Sequence, residues 1–230
     1  LIDWTNSDYP GFLRDSSRYS ISNDYNRWNK FRTFFQGQIK EINTQFKPDL
    51  WWFDGDWEHS AEEWEAEKIR QIILSKNPLA IINSRLQGYG DYGTPEQNFP
   101  VSRPHFRWWE LCMTINDNWG YQPKDQNWKT PYEIISLFVD VLSKGGNLLL
   151  DIGPKADGTI PEEQVFVLKE LGAWNTKHKE ALFETQEGIS PGHFYGPTTL
   201  SKDLKTLYLF VPRNSFGDLI WNKQFLDGVG

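Results

Sequence analysis

The sequence predicts an α/β fold: strand–helix units on a parallel sheet, followed by a shorter all-β segment. Three observations predict it. Short apolar runs alternate about four times with segments of helical period. The returns between helix and next strand are short. Beyond Ser190 the helical period disappears, and "KTLYLFVP" reads as an antiparallel strand opening a second, all-β region.

The elements follow in order. Trp28, Phe31, Phe35, Ile39, Ile42 and Phe46 recur every three or four residues and mark one face of a helix that Pro48 stops. "DLWWF" is a short buried strand. Ser60 then opens a helix over "AEEWEAEKIRQIILSKNP", with an acidic first turn and a basic last one. "LAIINSR" is the second strand. Residues 86–107 form a long loop rich in Gly, Pro and Tyr, a kind of segment that is usually either functional or disordered. "WELCMTI" is a third strand of the continuous apolar type that buries both faces. The next helix is signalled by Thr130 as N-cap, Pro131 at the first helical position and Glu133 closing a capping box, with Ile134, Ile135, Phe138, Val141 and Leu142 facing inward. "GGNLLLDIG" is the fourth strand, "DGT" a turn, and a helix runs from Pro161 to about Lys179.

Composition excludes several classes of function. Lys plus Arg is 24 against 31 Asp plus Glu, a net charge of −7, and basic runs are absent, so nucleic acid and anionic membrane are poor partners. The apolar runs are too short to span a bilayer. A lone cysteine, Cys112, rules out an internal disulfide framework and a cysteine zinc site, and four scattered histidines point to no metal. Aromatic residues make up 16% of the chain, with 12 Trp, a composition suited to stacking on sugar rings but also to a large core.

In a βα barrel the active site is lined by the C-terminal ends of the strands and the loops after them. "WWFDGDWEHS" puts Asp54, Asp56 and Glu58 at such an end; Arg85 follows the second strand, Asn116 and Trp119 the third, and Asp151 the fourth. Carboxylates beside aromatics, without clustered His or Cys, suit glycoside hydrolysis, which needs one ionised and one protonated carboxyl across a sugar ring. Asp56 and Glu58 also have a structural reading, as caps of the helix near Ser60 or as solvated acids. Arg85 has one too, as the partner of a loop acid such as Asp91.

"WWFDGDW", "INSR", "GDYGTPEQ", "WELCMTINDNWGY" and "SKGGNLLLDIGPKADGTIP" resemble, in order and spacing, the motifs of the α-L-fucosidases of glycoside hydrolase family 29. The resemblance covers residues 1 to about 180. It implies a (β/α)8-type, TIM-like barrel represented by its C-terminal half over residues 1–188, then the start of a C-terminal β-sandwich over residues 189–230. "LIDWTNSDYP" resembles the end of a mid-barrel strand. Roughly 180 residues cannot close an eight-stranded barrel of about 250, so the N-terminal half is expected on the same polypeptide or on another chain.

The resemblance also assigns roles. Asp54 matches the nucleophile of a retaining mechanism, Trp52 an aromatic wall of the sugar pocket, and Arg85 an arginine that contacts a sugar hydroxyl or the nucleophile and keeps Asp54 ionised by its charge. Trp119 is a further candidate contact. Two glutamates compete as acid/base: Glu96, on the long loop, and Glu110, at the start of a buried strand. Glu96 is favoured, because a loop can carry an acid to the leaving-group side whereas a strand start points to the barrel floor. Asp151 stands where many members of that family have Asn. The implied activity is that of an exo-acting α-L-fucosidase on fucosylated glycans, without metal or organic cofactor, in an extracellular, periplasmic or lysosomal setting. A member acting on a related sugar such as an α-L-galactoside, and a non-catalytic binder of fucosylated glycans, remain as alternatives.

Overall fold

The computed structural model of the chain describes residues 19–190 and 192–211, and the backbone of 220–225. The strand end expected within residues 1–10 lies outside the described residues. The chain divides into two compact units, Leu1–Tyr92 and Gly93–Gly230.

In the first unit, α1 (Tyr25–Phe46) begins at Asp24, whose side chain accepts the Arg27 N–H, and ends at Lys47 in the left-handed region. Its apolar face is buried at Trp28, Phe31 and Ile39, but Ile42 and Phe46, expected to continue it, are exposed. Asn43 takes the inward place instead: its amide donates to the carbonyls of Ile72 (2.7 Å) and Ile73 (3.0 Å). Those carbonyls lie in the last turn of the helix that ends at Leu74, where helical partners run out.

β1 (Leu50–Trp51) pairs in parallel with β2 (Ile81–Ile82). Between them the single helix expected after Ser60 is two, α2 (Ala61–Trp64) and α3 (Ala66–Leu74), because Glu65 takes a left-handed conformation at φ 52°. Ser60 does cap, with a full capping box to Glu63. The expected basic last turn is not there; α3 ends at Leu74, short of Lys76. Trp51 and Ile82 pack with Ile39, Ile69 and Ile73 in the core. Leu50 and Ile81, on the other side of the strands, are exposed.

In the second unit, β3 (Glu110–Thr114) and β4 (Asn147–Asp151) pair in parallel, Glu110 opposite Asn147 and Thr114 opposite Asp151. α4 (Pro131–Ser143) connects them and carries the predicted cap of Thr130, Pro131 and Glu133. Leu111 and Met113 of β3 pack with Val141 of α4, and Leu148 of β4 joins them. Leu149, one residue on, is exposed. α5 (Glu162–Leu182) follows, with a break in helical geometry at His178.

The rest is an antiparallel sheet ordered β5 (Thr185–Glu187), β6 (Thr198–Ser201), β7 (Thr206–Val211), β8 (Ile220–Phe225). The predicted strand is β7; the sheet already starts at Thr185, where the sequence has no clear strand signal. Tyr208 and Phe210 of β7 pack with Ile135 and Val139 of α4 and with Ala181 and Leu182 of α5. Among the described residues no helix is long and apolar enough to cross a membrane.

Candidate active site

The β1 ladder stops at Trp51, yet the chain is held in line to Phe53 by a side chain. Asn83 is fully buried; its Oδ1 accepts the Phe53 N–H (2.9 Å) and its Nδ2 donates to the Phe53 carbonyl (2.8 Å). The amide thus stands in for the next backbone partner. Trp52 and Asp54, two residues apart, lean to one side, and Arg85 meets both: its Nη1 donates to Asp54 Oδ1 at 2.6 Å, and its guanidinium lies 4.5 Å from the centre of the Trp52 ring. Arg85 is largely buried while Asp54 is more open to solvent, with side-chain exposures of 12% and 39%. A fixed cation against a carboxylate at a strand mouth is what an anionic nucleophile or a hydroxyl-binding group requires.

Two other acids of the first unit, Asp56 and Asp91, have structural partners. Asp56 does not face the arginine; its Oδ2 accepts the Gln87 N–H (2.7 Å), and its carbonyl accepts both the Gln87 amide (2.7 Å) and Trp64 Nε1 (2.9 Å). That ties the turn after β1 to the loop after β2. Asp91, the alternative partner for Arg85, accepts Arg70 instead at 2.7 and 3.0 Å and also the Ile82 N–H. Burial raises the Asp91 pKa, but Arg70 and the Ile82 N–H outweigh it and leave the carboxyl below its ordinary value.

In the second unit, Glu96 does not ride on a free loop, as the sequence suggests. It forms a parallel bridge with Cys112, flanked by Cys112 N–H to the Pro95 carbonyl and Gln97 N–H to the Cys112 carbonyl, both 2.9 Å. Gln97 also reaches Thr114 Oγ1 at 3.1 Å. The reason is backbone satisfaction: β3 is buried and its polar groups on this side need an edge partner. Glu110 is the first residue of β3, and Glu96 stands level with Cys112, nearer the C-terminal end.

Past that end lies the loop bearing Trp119 and Tyr121, both partly exposed. Asp125 organises it: Oδ2 accepts Asn118 Nδ2 (2.7 Å), Asn116 Nδ2 (2.8 Å) and the Asp117 N–H (3.0 Å), and Oδ1 the Asn127 N–H. These donors, Asn118 foremost, hold the carboxyl below its ordinary pKa. Asn116 Oδ1 accepts from Gln164, which in turn accepts the Gly153 N–H at 3.0 Å. Gly153 has room for nothing more; a Cβ there would stand 2.8 Å from Tyr121 N. Asp151, at the end of β4, has its pKa raised by burial. Among the described residues no three His, Cys, Asp or Glu converge to hold a metal ion.

Sequence reasoning did not single out Asn83, Gln87, Asp125 or Gln164. Asn83 carried a signal, an amide inside the buried run "LAIINSR" that must be satisfied there. The others become visible only once loops meet.

Comparison with known proteins points to one family. The family model described as alpha-L-fucosidase matches residues 1–180. An α-L-fucosidase of Dictyostelium discoideum is 31% identical over 67% of this chain and 35% of its own length. A plasma α-L-fucosidase of Rattus norvegicus is 29% identical over 76% of this chain and 42% of its own. Among solved structures, α-L-fucosidase isoenzyme 1 from Paenibacillus thiaminolyticus superposes with a TM-score of 0.79 at 28% identity, covering 95% of this chain and 56% of that one. A trapped covalent intermediate of a GH29 α-L-fucosidase from Bacteroides thetaiotaomicron, in complex with 2-fluoro-fucosyl fluoride, gives 0.77 at 28% identity, covering 86% of this chain and 52% of that one. The chain spans between about a third and somewhat over half the length of these relatives. With its motifs in order along the matched residues, the chain belongs to the α-L-fucosidase family, glycoside hydrolase family 29.

Proposed function

We propose that the polypeptide carrying this chain is a retaining exo-α-L-fucosidase that removes terminal fucose from glycans, with Asp54 as nucleophile. The observation that carries the reading is the Arg85–Asp54 contact with the Arg85 guanidinium over the Trp52 ring. Arg85 occupies Oδ1, so Oδ2 attacks the anomeric carbon as the glycosidic bond breaks. Glu96 donates its proton to the leaving oxygen, then takes a proton from the water that opens the fucosyl ester. Glu110 is the runner-up for this role; its place at the N-terminal start of β3 favours Glu96. Trp52 walls the sugar, Arg85 also binds a hydroxyl, and Trp119 contributes from the rim. The trapped covalent intermediate of the Bacteroides relative supports the ester.

The architecture proposed with it is the C-terminal half of a (β/α)8 barrel over residues 1–188 and the opening of a β-sandwich over residues 189–230. The parallel pairs and the exposed apolar Leu50, Ile81 and Leu149 on their helix-free side support this, since a closed barrel fills its interior with such side chains. The first half comes from the same polypeptide or another chain. Hydrolysis of an aryl α-L-fucoside by the complete polypeptide is the test. Asp54→Ala should abolish turnover and azide should rescue it as a glycosyl azide of inverted configuration; Glu96→Ala with azide should give the retained product. An active Asp54→Ala enzyme would discard the mechanism.

A further inference from the structure

Trp57 stands three residues beyond Asp54 and is 66% exposed. A single exposed aromatic is ordinary on a protein surface. Trp57 differs in how firmly its backbone is held. It is the central residue of a 3-10 turn, Asp56–Glu58, that Gly55 enters at φ 88°, a conformation glycine adopts without strain. On one side, Asp56 is fixed by its three contacts with Gln87 and Trp64. On the other, the His59 ring packs 4.6 Å from Trp28 and 5.4 Å from Trp64, and Ser60 caps α2. The turn therefore presents an indole to solvent from a rigid base, the arrangement that limits the entropy lost when a ligand docks.

Three residues of chain reach at most about 11 Å, and the turn at Gly55 shortens that reach. The backbones of Trp57 and Asp54 are therefore less than about 11 Å apart. Trp52 faces Arg85 on the strand side of Asp54, whereas Trp57 lies past the turn, toward solvent. An exo-acting enzyme buries the terminal sugar and leaves the remainder of the glycan pointing outward.

We propose that Trp57 is the stacking platform for the leaving-group saccharide, the first pyranose beyond the fucosyl residue. The inference rests on the reading of Asp54 as the nucleophile and adds a subsite for a neutral pyranose ring to it. An indole face takes the C–H face of such a ring and tolerates several sugars, so Trp57 would favour saccharide over small leaving groups without fixing one linkage.

The experiment compares kcat/KM for an α-L-fucosyl disaccharide with that for α-L-fucosyl fluoride, in the complete polypeptide. Trp57→Ala should lower the disaccharide-to-fluoride ratio about tenfold, the scale of one aromatic stacking contact, and Trp57→Phe should restore most of it. An unchanged ratio, including one in which both substrates decline together, would overturn the proposal. Calorimetric titration with fucose and with the disaccharide, in an Asp54→Asn background that does not turn the disaccharide over, separates the two readings. Asp54→Asn should bind the disaccharide more tightly than fucose, and adding Trp57→Ala should erase the difference. A wild type that does not hydrolyse the disaccharide, with that difference intact in Asp54→Asn, would sink the catalytic reading and keep the subsite; equal affinities in Asp54→Asn would sink the subsite.

Discussion

Arg85 touches Asp54 and Trp52 at once, a 2.6 Å hydrogen bond through one nitrogen and a guanidinium carbon that lies over the indole, 4.5 Å from its centre. Lysine could supply the charge but not the plane, so Arg85→Lys is not a conservative change here. It should lower kcat/KM on an aryl α-L-fucoside about tenfold to a hundredfold, the scale of a lost hydrogen bond to a charged group. The melting temperature should move little. Full activity in Arg85→Lys would remove the arginine from the site.

Asn83 completes the β1 edge from a fully buried position. Asn83→Leu would leave the Phe53 N–H and carbonyl without that partner, a cost of about 2–4 kcal/mol. Urea unfolding should register the loss as a lower midpoint. A midpoint equal to wild type would mean that water or neighbouring backbone replaces the amide.

Thr130 accepts the Glu133 N–H, and Glu133 returns the contact to the Thr130 N–H at 2.7 Å. Replacing it by Ala should remove about 1 kcal/mol of stability, whereas Thr130→Ser should cost a small fraction of that. Thermal unfolding of the two variants side by side distinguishes a cap from a mere surface threonine.

Asp151 is a carboxyl whose burial raises its pKa in the folded state. Between the ordinary aspartate pKa and that raised value, the folded chain holds more proton than the unfolded one. Stability contributed by Asp151 is therefore present at low pH and lost as pH rises through this window. Asp151→Asn should raise the melting temperature at pH 7, and the gain should shrink toward pH 4. A gain that is independent of pH would assign it to packing instead.

Much of this fold was legible because its helices announce themselves. The Thr130–Pro131–Glu133 signature and the Ser60 cap are local chemistry, written where they act. The kink at Glu65 was not legible, since a glutamate gives no sign that it will take a positive φ. Ile42 and Phe46 carried the right period and still ended outside, because Asn43 had carbonyls of α3 to satisfy and turned inward. At the site, the strand-end rule and the motifs singled out Trp52, Asp54 and Arg85, and the structure brings those three together. The supports from Gln87, Asp125 and Gln164 link residues far apart in sequence, and short motifs cannot carry such pairings. Glu96 looked like loop because its neighbours are Pro, Gly and Thr, yet an unpaired edge of β3 drew it into a bridge.

The loop around Trp119 has one further consequence, for engineering. Its shape depends on Asn116 and Asp125 within the loop, but also on Gln164 from α5 and on the bare backbone of Gly153. A loop transplanted from a relative to retune selectivity would arrive without its counterparts. Swaps spanning 116–128 should succeed only when the donor's residues at 153 and 164 travel with them.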